Sequence, residues 1–156
     1  LRADVARVRA RALGGLEALR ARPEVDPARL AAIGFCFGGT MSLELARGGA
    51  DIRAAVGFHS GLATTAPQDA KNIRGRVLVC IGADDPAISP EERAAFEQEM
   101  RAGGVNWQMH LYGGVVHSFT NEKAAAMGRP EFARYDAGAD ARSWRAMREL
   151  FAEVLD

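Results

Sequence analysis

A cysteine inside a glycine-rich stretch is the first feature of the chain that could do chemistry. Cys36 lies in the stretch IGFCFGG, with Gly34 two residues before it and Gly38 two residues after it. An apolar run typical of a strand leads up to this cysteine, and a helical pattern follows it. A sharp strand-to-helix turn exposes its central side chain and needs small neighbours at these two positions. The spacing therefore favours a nucleophilic thiol near a helix N-terminus, where the helix dipole stabilises a thiolate.

A buried structural cysteine is the competing interpretation. Cysteine is among the most buried residue types, and a lone cysteine in an apolar strand usually packs in the core. Cys80, in the run VLVCIG, fits that interpretation. A phosphate-binding loop is another alternative for the glycines around Cys36, but no lysine follows them. We therefore expect Cys80 to be structural and Cys36 to be a nucleophile.

A thiol nucleophile requires a base, and the base requires a group that orients it. Asp84 and Asp85 follow the third predicted strand, and His117 follows the fourth. In doubly wound parallel sheets such residues gather at the carboxyl ends of the strands. Taken singly, an aspartate before proline is commonly a turn residue, and a loop histidine is commonly a surface residue. The chain order of nucleophile, acid and histidine is that of α/β-hydrolases, and this combination predicts a catalytic site.

The other two histidines differ in their placement. His59 ends the second predicted strand in the stretch GFHSGL, and we expect it to line the substrate pocket. His110 lies within the fourth predicted strand, where we expect it to pack in the sheet.

Strands alternate with helices along the chain, which predicts an α/β fold with a mostly parallel sheet of about four strands flanked by helices. The predicted strands are LAAIGF, IRAAVGF, RVLVCIGA and VNWQMHLYGG. The predicted helices are an amphipathic segment from about Asp4 to Arg22, the segment TMSLELA, the segment SPEERAAFEQEMRAGG and the closing ADARSWRAMRELFAEVL. Ser89 and Glu92 have the spacing of a capping box at the start of the third of these helices.

Length and composition exclude several classes of protein. The chain has 156 residues, which suits a single domain over residues 1–156. Its 20 basic and 20 acidic residues balance, so nothing indicates binding to nucleic acid or to an anionic membrane. The two cysteines do not form a disulfide framework, the N-terminus is not a signal peptide, and no apolar run is long enough to span a bilayer. We therefore expect a cytoplasmic protein without a cofactor or a bound metal.

The chain resembles the dienelactone hydrolase family of α/β-hydrolases. The resembling stretches are IGFCFGG around Cys36, IGADDPAISPEE around Asp85 and LYGGVVHSFTN around His117. The resemblance implies that Cys36 is the nucleophile, His117 the base and Asp85, rather than Asp84, its acidic partner. It also implies that the backbone amide of Phe37 donates to the oxyanion.

Two departures from the family pattern affect the expected activity. The family domain begins well before this chain does, which implies an N-terminally truncated α/β-hydrolase domain without the first strands and without the loop that carries a second oxyanion donor. Dienelactone-cleaving members use an arginine four residues after the catalytic histidine to bind the substrate carboxylate. Asn121 occupies that position here. We therefore expect His59 and Asn121 to line a site for simple small esters.

These residues predict a hydrolase that cleaves small carboxylic esters or lactones through a Cys-His-Asp triad and an acyl-enzyme. A non-catalytic binding or assembly remnant of the fold and a thiol-based acyltransferase are the alternatives. Without an upstream half of the sheet, the strand LAAIGFC would be an apolar edge that contains neither proline nor lysine. We therefore expect a homodimer or a larger homo-oligomer.

Overall fold

The computed structural model describes residues 4–156, in which strands and helices alternate. The strands are β1 (Ala31–Phe35), β2 (Ala54–Phe58), β3 (Arg76–Gly82) and β4 (Trp107–Tyr112). The helices are α1 (Val5–Arg20), α2 (Phe37–Arg47), α3 (Pro90–Ala102) and α4 (Ala137–Leu155). Short 3-10 helices at Pro67–Asn72 and Ala124–Met127 were not predicted. Within the described part of the chain, no helix combines the length and the apolar composition that crossing a membrane requires.

The four strands form one sheet in the order β1-β2-β3-β4, and every pairing in it is parallel. Parallel neighbours need crossover connections, which the helices between the strands supply. The sheet confirms the predicted α/β fold of four parallel strands flanked by helices. Its parallel arrangement brings the carboxyl ends of all strands to one edge, where the candidate residues follow.

Both faces of strand β3 are buried, because its side chains alternate between two hydrophobic clusters. Leu78 and Cys80 point to the cluster that contains Met147 and Leu150 of α4. The alternate residues of β3 point to a second cluster, which includes Phe96 of α3; these residues are Val77, Val79 and Ile81. This double coverage explains why the strand sequences are apolar without alternation.

Strand β1 lies at the edge of the sheet that the described residues form. Its side chains Ile33 and Phe35 are 42% and 38% exposed. The Phe35 ring stacks on Phe58 with a centroid distance of 4.9 Å, and Phe58 in turn stacks on the exposed Trp144 at 6.0 Å. These side chains give the β1 edge an apolar surface.

The start of α3 differs from the predicted capping box. Ser89 is the N-cap, and its hydroxyl accepts a hydrogen bond from the Glu92 amide at 3.2 Å. The Glu92 carboxylate, however, accepts from the backbone amides of Leu62 and Ala63, at 2.6 and 3.1 Å. In a capping box, the Glu92 carboxylate would accept from the backbone amide of the N-cap residue. Here it accepts from two amides in the loop after β2 instead. Hydrogen bonds therefore connect α3 to the loop that follows His59.

We predict that Glu92→Ala lowers the free energy of unfolding more than Ser89→Ala does. The serine substitution removes an N-cap, which costs about 1 kcal/mol. The glutamate substitution removes two charge-assisted hydrogen bonds and leaves two loop amides without their acceptor, so we expect a loss of about 2 kcal/mol or more. Urea unfolding of the two variants measures the difference. Equal losses would mean that Glu92 only caps the helix.

Candidate active site

A strained backbone turn presents the Cys36 side chain. Cys36 lies between the end of β1 and the start of α2, with φ of 50° and ψ of −122°. A positive φ is unfavourable for a residue with a side chain and persists only where the surrounding structure holds it. The Cys36 amide donates to the Phe58 carbonyl at 3.1 Å, and the Cys36 carbonyl accepts from the Gly39 amide at 3.1 Å. The backbone is thus fixed on both sides of the turn.

The turn needs glycine at two positions, of which the sequence analysis identified one. A Cβ at Gly34 would lie 2.1 Å from the carbonyl carbon of Gly38, and one at Gly39 would lie 2.5 Å from the Cβ of Ser60. A Cβ at Gly38 would meet nothing within 4 Å, so the predicted need for a small residue there is wrong. Gly34 must be glycine because its Cβ would clash with backbone atoms of Gly38, and this clash does not depend on the side chain at position 38.

The three residues of the predicted triad lie together. The Nε2 atom of His117 is 3.2 Å from the Sγ atom of Cys36, and its Nδ1 atom is 2.7 Å from Oδ2 of Asp85. Asp85 is buried, whereas Asp84 is exposed. The geometry therefore brings Cys36, His117 and Asp85 into one hydrogen-bonded chain and leaves Asp84 outside it.

Asp85 has a turn role as well as its contact with histidine. Its second oxygen, Oδ1, accepts a hydrogen bond from the Ala87 amide at 2.8 Å. The turn contact and the contact with His117 are compatible, because each uses a different carboxylate oxygen. The Ala87 amide thus helps to hold the carboxylate in the position in which it contacts His117.

The loop that carries His117 crosses the end of β3 at close range. A Cβ at Gly82, the last residue of β3, would lie 2.3 Å from the Val115 carbonyl oxygen. Beyond this crossing, the His117 amide donates to the Phe132 carbonyl at 3.1 Å. Glycine at the end of β3 is thus a condition for bringing the histidine to the aspartate.

His59 contacts the sulfur directly, which the sequence analysis did not predict. Its Nδ1 atom lies 3.3 Å from Sγ of Cys36, and its Nε2 atom lies 2.9 Å from Oγ1 of Thr120. The ring is 2% exposed. The position of His59 at the end of a predicted strand could be recognised from the sequence. Its contact with Thr120 could not, because the two residues are 61 positions apart.

Ser118 is a further residue that the sequence analysis missed. Its hydroxyl lies 3.7 Å from the Cys36 sulfur. Among the described residues, the non-glycine residues with positive φ are Cys36, His59 and Ser118, with φ of 50°, 39° and 57°. All of them place a side chain at the same sulfur atom. Backbone strain is thus concentrated where these side chains converge.

The electrostatics of the site favour an ion pair between Cys36 and His117. Hydrogen bonds from His117 and then from His59 lower the pKa of the Cys36 thiol to about 5, although burial acts in the opposite direction. Burial lowers the pKa of His117, but its hydrogen bonds with Asp85 and Cys36 outweigh burial and raise the pKa to about 9. Between these values the sulfur is a thiolate and the ring is an imidazolium. The imidazolium donates from Nε2 to the sulfur and from Nδ1 to the Asp85 carboxylate.

Cys80 shows the opposite environment. It is fully buried in the sheet, and its pKa is raised to about 12 by burial, which the Tyr112 hydroxyl counteracts as it donates to the sulfur at 3.8 Å. A thiol with a raised pKa is unreactive at neutral pH. The two cysteines therefore lie in opposite electrostatic environments, one that lowers the pKa of the thiol and one that raises it.

The remaining predicted site residues, Phe37 and Asn121, have different surroundings. Phe37 is the first residue of α2, so its amide lies at the positive end of the helix, next to Cys36. Its half-buried side chain lines a cavity of about 270 Å³ together with Val8 of α1 and Glu92. Asn121 is exposed, and its side-chain oxygen accepts from the Lys123 amide at 3.0 Å in a local turn.

The site also contains a set of metal-ligand atoms. The Sγ atom of Cys36, a ring nitrogen of His59 and a ring nitrogen of His117 all lie within 4.8 Å of one another. Within residues 4–156, this is the group of histidine, cysteine and carboxylate side chains close enough to hold a metal ion.

A parallel sheet with a strained cysteine turn after β1 and an aspartate and a histidine after later strands defines an α/β-hydrolase fold. The sequence profile of the Dienelactone hydrolase family matches residues 2–155. The chain therefore belongs to the dienelactone hydrolase family.

Individual relatives agree with this assignment. An uncharacterized protein of Caenorhabditis elegans is 36% identical over 145 residues, which are 90% of this chain and 89% of that protein. A dienelactone hydrolase-like promiscuous phosphotriesterase from metagenomic libraries has a TM-score of 0.91 and 48% identity and matches 98% of this chain. A second solved structure, m3DLH, has a TM-score of 0.93, 52% identity and the same coverage of this chain.

The matched proteins differ in length from this chain. The chain covers 64% and 63% of the two solved chains, which is less than two thirds of each. It spans about half the length of other curated relatives, covering 53% and 54% of two of them.

We predict that iodoacetamide alkylates Cys36 at a rate that rises with pH around a midpoint near 5. The thiolate is the form that reacts, and the imidazole donors stabilise it, so the midpoint lies below the value of about 8.5 for a free thiol. Mass spectrometry of the labelled peptide, over a series of pH values, measures the rate at each cysteine.

The buried cysteine supplies the control for this experiment. Cys80→Ala leaves the labelling profile unchanged, whereas Cys36→Ala removes labelling at neutral pH. A midpoint near the free-thiol value of about 8.5 would contradict the ion pair.

Proposed function

We propose that the protein hydrolyses small carboxylic esters or lactones through a covalent intermediate on Cys36. The observation that carries the proposal is the position of the sulfur, 3.2 Å from a histidine that Asp85 orients and 3.3 Å from a second histidine. Acyl transfer to a thiol needs a thiolate, a proton carrier and a group that orients the carrier. Cys36, His117 and Asp85 have the chemistry for these roles.

Attack begins from the ion pair. The Cys36 thiolate adds to the substrate carbonyl carbon, and the carbonyl oxygen takes up the negative charge beside the N-terminus of α2. The Phe37 amide is the proposed donor to this oxygen. His117 then donates its Nε2 proton to the departing alkoxide, and the collapse of the intermediate leaves a thioester on Cys36 and a neutral imidazole.

Hydrolysis of the thioester reverses the role of His117. The neutral imidazole accepts a proton from water at Nε2, and the resulting hydroxide attacks the thioester carbonyl. The carbon–sulfur bond breaks, the carboxylic acid leaves, and the thiolate and imidazolium are restored. Asp85 stabilises the imidazolium before attack and after hydrolysis. Because the thiol is ionised at rest, His117 acts first as an acid and only then as a base.

His59 has a different proposed role, because it lies on the other side of the sulfur. The Thr120 hydroxyl can donate to Nε2 of His59 at 2.9 Å, and this tautomer leaves a proton on Nδ1. The Nδ1–H group then donates to the Cys36 sulfur at 3.3 Å. His59 would thus hold the thiolate in position and lower its basicity without exchanging a proton with the substrate.

The proposed substrates are neutral and small. Asn121 is exposed and engaged in its own turn, and its carboxamide carries no charge to bind a substrate carboxylate. A short-chain ester is therefore the first substrate to test. A phosphotriester is the second, because a neighbour with 48% identity is described as a promiscuous phosphotriesterase.

Other proposals concern the protein as a whole. A single domain over residues 1–156 and a cytoplasmic location, which a free thiolate would favour, stay predictions. An acyltransferase would use the same acyl-enzyme with an alcohol in place of water. A non-catalytic remnant would release no burst of p-nitrophenol from a chromogenic ester, whereas a hydrolase or a transferase would.

We predict that Cys36→Ala abolishes turnover of p-nitrophenyl acetate and that His117→Ala lowers kcat/KM by roughly 10²–10⁴-fold. Asp85→Asn causes a smaller but clear loss, because the amide no longer stabilises the imidazolium. Steady-state and burst kinetics measure these effects. Product analysis with added alcohol distinguishes hydrolysis from transfer.

The neighbouring aspartate is the matched control. Asp84→Asn should retain nearly the parent activity, since Asp84 is exposed and outside the hydrogen-bonded chain. An equal or larger loss at Asp84 would reassign the acid. Activity that survives Cys36→Ala would refute the mechanism.

We also propose that the protein forms a homodimer or a larger homo-oligomer through the β1 edge. Ile33 and Phe35 on this edge strand are 42% and 38% exposed, and the strand contains neither proline nor lysine. Unprotected apolar edges tend to pair. A second copy could cover the edge through a symmetric interface.

Sedimentation at micromolar concentration should therefore give a mass above that of the 16.7 kDa chain. Ile33→Lys should shift the protein to the monomer, because the charge cannot be buried in the interface. Leu111→Lys is the matched control, since Leu111 is 49% exposed on β4 at the opposite edge. A monomeric parent protein would exclude the proposal.

A further inference from the structure

We propose that Cys36, His59 and His117 form a reversible binding site for a thiophilic divalent cation, of which Zn²⁺ is the best fit. One sulfur and two imidazole nitrogens lie within 4.8 Å of one another. Binding requires only these ligands, whereas the inhibition that we infer from it depends on the proposed hydrolase function. A bound cation would occupy both the nucleophile and the proton carrier, and so would stop turnover.

The two sulfur–nitrogen distances are close to those of tetrahedral coordination. The Cys36 sulfur lies 3.3 Å from Nδ1 of His59 and 3.2 Å from Nε2 of His117. Zinc–sulfur and zinc–nitrogen bonds of about 2.3 and 2.0–2.1 Å place two tetrahedral ligand atoms about 3.5 Å apart. Each imidazole nitrogen therefore needs to move away from the sulfur by only a few tenths of an ångström to admit the ion.

The protonation states can adapt to the cation. His117 loses its Nε2 proton to solvent and keeps the Nδ1–H group that donates to Asp85. This arrangement is the carboxylate–histidine–zinc pattern that orients metal-bound histidines. In His59 the proton moves from Nδ1 to Nε2, where Oγ1 of Thr120, at 2.9 Å, accepts it. Each histidine thus has a partner on the nitrogen that does not bind the metal.

The ligand count indicates a reversible site rather than a structural one. Structural zinc sites usually have four protein ligands, whereas three protein ligands leave one position for water. Cys36 is only half-buried, so a cation can approach from solvent and leave again. Occupancy would then follow the concentration of the free cation.

Cobalt is the probe that tests this site without reference to activity. The chelator-treated full chain is titrated with Co²⁺, and absorbance is recorded in the near-ultraviolet and visible ranges. We expect a thiolate-to-cobalt charge-transfer band and the d–d bands of a tetrahedral ion, at one cobalt per chain, with both lost as Zn²⁺ displaces cobalt. Absence of the charge-transfer band at this stoichiometry would overturn the proposal.

Variants test whether Cys36 and His59 act as ligands. Cys36→Ala should remove the charge-transfer band, His59→Gln should weaken cobalt affinity by about 100-fold, and Thr120→Val should weaken it by about tenfold through the loss of an outer partner. Cys80→Ala and His110→Gln are matched controls that should leave affinity unchanged. An unchanged affinity in His59→Gln would mean that the cation binds without His59 and would refute the three-ligand site.

Activity assays separate this inference from the proposed function. If the protein hydrolyses the ester, Zn²⁺ should inhibit it with the zinc dissociation constant that cobalt displacement gives, and EDTA should restore activity. Cobalt binding without hydrolysis would refute the proposed function and leave the cation site standing. Hydrolysis without a cobalt–thiolate band would refute the cation site and leave the function standing.

Discussion

The negative charge on the Cys36 sulfur is the constraint on which the rest of the site depends. A half-buried thiolate needs donors, and His117 and His59 supply them at 3.2 and 3.3 Å. Each donor also has a partner on its other ring nitrogen, which is Asp85 for His117 and Thr120 for His59. The hydrogen-bonded chain therefore extends from one sulfur to both sides of the site, and a change at its ends affects the charge at its centre.

The fold brings these hydrogen-bonded side chains together because each of them follows a different parallel strand. Cys36 follows β1, His59 follows β2, Asp85 follows β3 and His117 follows β4. Parallel pairing brings these ends to one edge of the sheet, but it does not aim the side chains inward. Local strain does so at Cys36 and His59, where φ is positive, and the double-sided core stabilises the molecule enough to retain that strain.

Much of the fold and part of the site could be predicted from the sequence, because these depend on short-range patterns. Apolar runs without alternation predicted the parallel strands, and the glycines around Cys36 predicted the turn. Contacts between distant segments could not be predicted in this way. The contact of His59 with the sulfur and that of Glu92 with the loop after β2 depend on tertiary distances. The requirement at Gly39 likewise comes from Ser60, which lies on another strand end.

The proposed reaction and the proposed cation site have one physical origin. A thiol that stays protonated at rest would bind a soft cation weakly, because the cation would have to displace its proton. Stabilising the thiolate removes this barrier to attack on a carbonyl and to coordination alike. The two uses exclude each other, since both need the sulfur lone pair and Nε2 of His117. Selectivity for a substrate over a cation must then come from the size and shape of the site around the sulfur, because the negative charge of the sulfur attracts both.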